Sequence, residues 1–260
     1  AGGLYNGDTT VAYTTTSTGS ATDNGEDITI TTGDGADTVT VTASSFVGGD
    51  STDGGAISVS TDEGDDTITV TTSTIVDQLT SEAITIDAGT GADTITITSE
   101  TGDTVQSAAN FVVAAGDSLT TAYDTITGFE VADGTDLSME LQFTGTAAVT
   151  NFTRTVDFGT IKSHSLSNGT VTFDDAGSYS TALVINSSNL TDVVGYLAEN
   201  TDTLDTTAFL FDSTNNNSND AVMVYNNGTT DSLVLLKGIS AVTGITATNT
   251  TITANYIAIT

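Results

Sequence analysis

The chain has no cysteine, which excludes disulfides and thiolate metal sites. It has no tryptophan and one histidine, His164, so the materials for an aromatic substrate pocket or a transition-metal centre are scarce. Basic residues are nearly missing as well. Arg154, Lys162 and Lys237 stand against 34 Asp and Glu, a formal charge of -31 over 260 residues. Phosphate binding draws on Lys and Arg, so nucleic acid is excluded as an expected partner and anionic membrane surfaces are disfavoured. No apolar run reaches 18 residues, so no membrane-spanning segment and no direct membrane insertion are expected.

Such a charge works against compactness. Two carboxylates about 4 Å apart at an effective dielectric of about 20 repel by about 4 kcal/mol, so clustered aspartates need cations between them. With three basic residues in the chain, those cations must come from solvent. An acidic composition also suits a disordered chain, but 37% hydrophobic residues in regular Ile/Val/Thr alternation argue for a fold. The length allows one large β domain or two smaller ones. Residues 1–10 match neither a signal peptide nor a Met start, and the sequence reads as processed or as an excerpt of something longer.

What the sequence does have is a repeat. EDITITTGDGADTVTVTAS from Glu26, GAISVSTDEGDDTITVTTS from Gly55 and EAITIDAGTGADTITITSE from Glu82 align as strand, acidic turn, strand. In Ile28-Thr29-Ile30, Val39-Thr40-Val41, Ile68-Thr69-Val70 and Ile95-Thr96-Ile97, period two puts the apolar residues on one face and the threonines on the other. One unit cannot bury its apolar face alone, so the units are expected to stack into a parallel solenoid with a continuous Ile/Val interior, in preference to an antiparallel sandwich. The stretches between units, such as Ser44 to Gly54, read as excursion loops.

The turns carry the candidate chemistry. Gly33-Asp34-Gly35-Ala36-Asp37, Asp62-Glu63-Gly64-Asp65-Asp66 and Gly89-Thr90-Gly91-Ala92-Asp93 each place a glycine two residues before an aspartate that opens a strand, and Asp23-Asn24-Gly25-Glu26-Asp27 reads as a further copy. Glycine permits the positive φ that turns backbone carbonyls outward, and aspartate supplies a hard anionic oxygen. The candidate metal-ligating residues are therefore Asp23, Asp27, Gly33, Gly35, Asp37, Asp62, Gly64, Asp66, Gly89, Gly91 and Asp93, with Ca2+ as the expected ion. The competing reading is that Asp and Gly simply make good turns.

These turns resemble the calcium-binding repeats-in-toxin family, whose nonapeptide G-G-x-G-x-D precedes an apolar-x-apolar strand. Gly33, Gly35 and Asp37, then Gly89, Gly91 and Asp93, are the nearest matches. The resemblance implies calcium held by turn carbonyls and the Asp between adjacent coils of a parallel β-roll. The long excursions depart from the family's uninterrupted nine-residue period and imply fewer, less regular ions. The stretch from Tyr123 to Val131, followed by Asp133-Gly134-Thr135-Asp136-Leu137, resembles the D-x-I-x-x-F and D-x-L/I-D-L segment that closes many such arrays. Asp124 and Asp136 stay outside the ligand set, because isolated aspartates near turns are usually solvated.

From about Thr120 the composition shifts to longer apolar residues. The expected organisation is calcium-binding β-roll-like repeats over residues 1–120 and a β-rich C-terminal domain over 121–260: all-β, a parallel β-roll or β-solenoid, then a β-rich half with one short helix. Leu190, Val193, Val194 and Leu197 predict that helix near Leu190 to Glu199, capped by Ser188 or Asn189 and covering a sheet. Strands are expected at Ala208 to Phe211, Ala221 to Tyr225 and Ser232 to Leu236. His164, between Ser163 and Ser165, reads as a surface-loop residue, not as part of a triad. The segment from Ala208 to Ser240 looks like the C-terminal part of secreted repeats-in-toxin proteins and of calcium-dependent bacterial surface-layer proteins, which implies export by a type I system. The expected function is an extracellular calcium-dependent structural protein, not an enzyme, that assembles with copies of itself into a layer or filament. A cell-surface polysaccharide is a further candidate partner. The alternative is a calcium-binding adhesin or the carrier module of a larger type I secreted protein.

Overall fold

The computed structural model describes residues 7–15, 27–43, 46–47, 56–72, 75–76, 84–99, 109–131, 139–144, 147–148, 152, 154–247 and 254–260. The alternating segments form β1 (Thr10–Thr15), β2 (Ile28–Thr31), β3 (Thr38–Ala43), β4 (Phe46–Val47), β5 (Ile57–Ser60), β6 (Thr67–Thr72), β7 (Ile75–Val76), β8 (Ile84–Asp87), β9 (Thr94–Ser99), β10 (Ala109–Val113), β11 (Asp124–Thr127) and β12 (Glu140–Thr144). Successive strands fall in alternate sheets. β1, β3, β6, β9 and β11 lie side by side in one, and β2, β5, β8, β10 and β12 in the other, while β4 and β7 pair outside both. All these pairings are parallel and in register, so Val11, Val39, Ile68, Ile95 and Ile126 form one column and Ile30, Val59, Ile86 and Phe111 another. Among the described residues the protein is all-β apart from one helix, and its first half is a parallel solenoid of the β-roll kind.

Period two explains the interior. Ile28, Ile30, Val39, Val41, Ile57, Val59, Ile68, Val70, Ile84 and Ile86 are buried between the two sheets, and the intervening Thr and Ser face out. Each buried Val or Ile contributes on the order of 1.5–3 kcal/mol relative to an exposed one. Columns of like residues let each coil present the next with the shape it already has.

The second half is built from β13 (Ala147–Ala148), β14 (Ser163–Ser167), β15 (Thr170–Asp174), α1 (Leu190–Asn200), β16 (Asp205–Phe211), β17 (Ala221–Asn226), β18 (Ser232–Lys237), β19 (Ile245–Ala247) and β20 (Ala254–Ile259). Both solenoid sheets run on into it across residues 120 and 121. β18 adds in parallel to β11, and β17, β16, β15 and β14 follow, while β20 adds antiparallel to β12 and carries β19. The last coil is thereby covered.

Strand β17 from Ala221 to Tyr225 and strand β18 from Leu233 to Leu236 are apolar without alternation because both of their faces are buried. Val222, Val224, Val234 and Leu236 continue the solenoid interior, whereas Met223, Tyr225, Leu233 and Leu235 face a second core with Leu190, Val193, Tyr196 and Leu197 of α1. The helix thus covers the sheet as its spacing predicts. Its cap differs from expectation: neither Ser188 nor Asn189 caps through its side chain, and the Asn189 side-chain oxygen accepts from the Asn186 amide instead. Among the described residues no helix is long and apolar enough to cross a membrane.

Candidate functional site

The repeat turns stack at one edge of the solenoid. Two of the turn glycines sit where the preceding coil's backbone passes close: a Cβ on Gly64 would collide with the Gly35 carbonyl oxygen, and one on Gly89 with that of Asp62. Both glycines also hold positive φ, 137° and 79°. Backbone bonds tie turn to turn, from Gly7 N–H to Asp34 O at 2.7 Å, Gly35 N–H to Glu63 O at 2.7 Å and Gly64 N–H to Thr90 O at 2.8 Å.

Beside them runs a ladder of buried aspartates. The amide of Thr9 donates to Asp37 Oδ1 at 2.6 Å, that of Asp37 to Asp66 Oδ1 at 2.7 Å, that of Asp66 to Asp93 Oδ1 at 2.7 Å, and that of Asp93 to Asp124 Oδ1 at 3.0 Å. Asp37, Asp66 and Asp93 are each 1% exposed and Asp124 4%. One oxygen of every rung is therefore occupied by a backbone N–H from the neighbouring coil. The other is not: Oδ2 of Asp37, Asp66 and Asp93 is buried without a hydrogen-bond partner. Burial first, and neighbouring carboxylates after it, push Asp66, Asp93 and Asp124 above the ordinary carboxylate range.

The next column outward is arranged differently. There the rungs read Asp8, Ala36, Asp65 and Ala92, the first three exposed and Ala92 half-buried, with Asp8 Oδ1 accepting from the Ala36 amide at 3.2 Å and Asp65 Oδ1 from the Ala92 amide at 2.9 Å. Charge alternates with methyl where water already screens it. In the dry column every rung from Asp37 to Asp124 is an aspartate, at strand spacings of about 4.8 Å. On the entry side of the turns, the Thr32 hydroxyl donates to Thr61 O at 3.3 Å and the Thr61 hydroxyl to Ala88 O at 2.9 Å, a neutral ladder with its partners satisfied.

The structure brings Asp37, Asp66 and Asp93 together with Gly33, Gly35, Gly64, Gly89 and Gly91 at one edge. Asp62 is there too, but exposed and at φ 74°, with its carbonyl accepting from Thr90. Asp27 stands apart, at the opposite end of β2 from the turn, where it is exposed and accepts from the Ala56 amide at 3.0 Å. Asp23 and Asp136 lie outside the described residues.

Two rungs escaped the sequence reading. Asp124-Thr125-Ile126-Thr127 repeats Asp66-Thr67-Ile68-Thr69 and Asp93-Thr94-Ile95-Thr96, but it comes 31 residues after Asp93 where the earlier steps are 29 and 27. At the other end, Gly7-Asp8-Thr9-Thr10-Val11 is the turn of an earlier coil with Thr9 in the aspartate's place. His164 is also not a surface-loop residue. It lies half-buried in β14, its ring 4.2 Å from that of Phe152 and its Nδ1 2.8 Å from the Tyr196 hydroxyl, and burial lowers its pKa.

Among the described residues no three His, Cys, Asp or Glu side chains form a group that could hold a metal ion by themselves. The ladder offers one carboxylate per coil, so a cation there would complete its shell with backbone carbonyls or water, as a hard, oxygen-preferring ion does. The orphaned Oδ2 atoms and the all-oxygen donor set fit such an ion, and Asp37, Asp66 and Asp93 are the residues that would hold it. Comparison of the chain with protein-family models, with curated proteins and with solved structures gave no match, so none of these comparisons identifies the repeats-in-toxin family.

Proposed function

We propose that the chain is an extracellular, calcium-dependent structural protein, without catalytic activity, that assembles with copies of itself into a surface layer or filament. One observation carries the reading: three consecutive buried aspartates each leave an oxygen without a partner, in a half of the chain that has no basic residue before Arg154. Adjacent rungs at about 4.8 Å would repel by roughly 3–4 kcal/mol at an effective dielectric of about 20. Calcium, which takes 6–8 oxygen ligands at about 2.3–2.6 Å, would remove that repulsion and cross-link successive coils. Millimolar calcium outside the cell, an acidic surface and the resemblance of the turns support secretion, by a type I route. Rows of outward Thr and Ser on the solenoid strands give polar, regular surfaces for contact between copies.

A second reading has an observation of its own. β18 and β20 cover the last coil, which blocks end-to-end stacking there and suits a capped calcium-binding module of an adhesin or larger secreted protein.

The test is circular dichroism with particle sizing while calcium is titrated into chelator-treated protein. Gain of β signal followed by growth in particle size is the expected result. Gain of β signal in a particle that stays monomeric selects the capped module, and a protein equally folded with and without calcium overturns the calcium reading.

A further inference from the structure

The ladder does not stop at the last repeat motif. Its fourth rung, Asp124, belongs to β11, the strand on which the C-terminal sheet is built, with Asp124 opposite Val234 of β18. The Asp124 amide donates to the Ser118 hydroxyl oxygen at 2.7 Å, and that hydroxyl donates to Leu233 O of β18 at 2.6 Å. The Leu233 amide returns a bond to Ser118 O at 3.0 Å. Ser118 is fully buried, so these bonds are sheltered from water. A short chain of hydrogen bonds therefore leads from the ladder into β18.

The Asp93 amide donates to Asp124 Oδ1 at 3.0 Å, which sets the two carboxyl groups on adjacent rungs, and Asp93 is 1% exposed with its Oδ2 unpartnered. Burial first, and neighbouring carboxylates after it, push Asp93 up to about 8 and Asp124 up to about 7. Ionised together with no cation between them, they would repel across the β9–β11 pair, where β11 also carries β18. The nearest basic residue in sequence is Arg154, which is exposed and engaged with Asp202.

We propose that Asp93 and Asp124 form a divalent-cation site outside the repeat motif, and that its occupancy fixes the C-terminal sheet onto the solenoid. The inference rests on the reading that the ladder takes up calcium. The site has only oxygen donors, so it selects calcium over softer metals. Asp124 acts here as a ligand and as a strand residue, and Ser118 is a positioning residue that holds the Asp124 backbone against β18.

The experiment measures calcium equivalents by equilibrium dialysis and amide exchange along Leu233 to Leu236, on the full chain and on Asp124→Asn, Asp66→Asn and Ser118→Ala. In the full chain, calcium should raise protection of β18 by at least about tenfold. Asp124→Asn should bind fewer equivalents and lose that calcium-dependent gain, whereas Asp66→Asn should bind fewer and keep it. Ser118→Ala should keep its calcium and lose the gain. A full complement of calcium in Asp124→Asn, or an unchanged β18 gain in both Asp124→Asn and Ser118→Ala, overturns the proposal while leaving the ladder reading intact. If Asp124→Asn fails to fold, Ser118→Ala decides: retention of the gain overturns the coupling. No calcium bound by the full chain overturns the ladder reading itself.

Discussion

Buried aspartates occur in both halves of the molecule, and they are treated in opposite ways. In the C-terminal half Asp174 accepts from the amides of Ala176, Ser180 and Thr181 and from the Ser180 hydroxyl, and Asp212 from the amides of Thr214, Asn216 and Asn217 and the Thr214 hydroxyl. These carboxylates organise tight loops, and their backbone donors hold Asp174 and Asp212 below the ordinary carboxylate range. In the solenoid Asp37, Asp66 and Asp93 each receive one N–H and keep one bare oxygen, and burial drives Asp66, Asp93 and Asp124 upward. A carboxylate wrapped in donors is complete within the chain. In the stacked carboxylates of Asp37, Asp66 and Asp93 the chain leaves one oxygen of each unsatisfied.

The comparison is broken most directly at Asp66. Asparagine there keeps the oxygen that accepts the Asp37 amide and replaces the bare Oδ2 by a neutral donor. Asp66→Asn should therefore raise Tm in chelator by about 5 °C, on the order of 1–2 kcal/mol for a chain of this size, and lower Tm in calcium. Thermal scans of both proteins in both conditions read the sign change, and a variant destabilised to the same degree in each condition would make the ladder an ordinary hydrogen-bonded turn.

The matching change on the other side is Asp174→Asn, where the amide offers donors to groups that already donate. A fall in Tm is expected, the same with calcium as without, because that carboxylate is satisfied by its own loop. A calcium-dependent difference would mean that the two classes of aspartate are not distinct.

The smallest expected effect is at His164. Burial against Phe152 and Tyr196 lowers its pKa below 6.5, so the unfolded chain binds the proton more tightly than the folded one. Its contribution is present above pH 6.5 and is lost as pH falls through the lower folded value. A stability profile of His164→Gln should be flatter than the native one between neutral pH and about pH 5. Equal slopes would remove His164 from the acid response.

Much of this was legible in the residues. Thr-Ile-Thr-Val at Thr67 to Val70 and its copies announce strands, their spacing announces stacking, and Gly35, Gly64 and Gly91 mark the turns. The ladder was legible only in part. Asp37, Asp66 and Asp93 share a place in the motif, but Asp65 and Asp66 are adjacent in the same turn and meet opposite environments, one in water and one dry. Asp27 looked like another turn aspartate and sits at the far end of its strand, because strand length, not local composition, decides which end meets the turn.

The sequence by itself determined the alternation, the turn positions and the excess of acidic charge. Those follow from local sterics and from net charge, which every stretch of chain carries with it. Only the tertiary structure decided that Asp124 joins the ladder after an insertion, that Thr9 begins it, and that β18 and β20 continue the solenoid's own sheets and cover its last coil. Register between strands far apart in the chain is set by which coil lies beside which, and neither periodicity nor composition within a single segment contains that information.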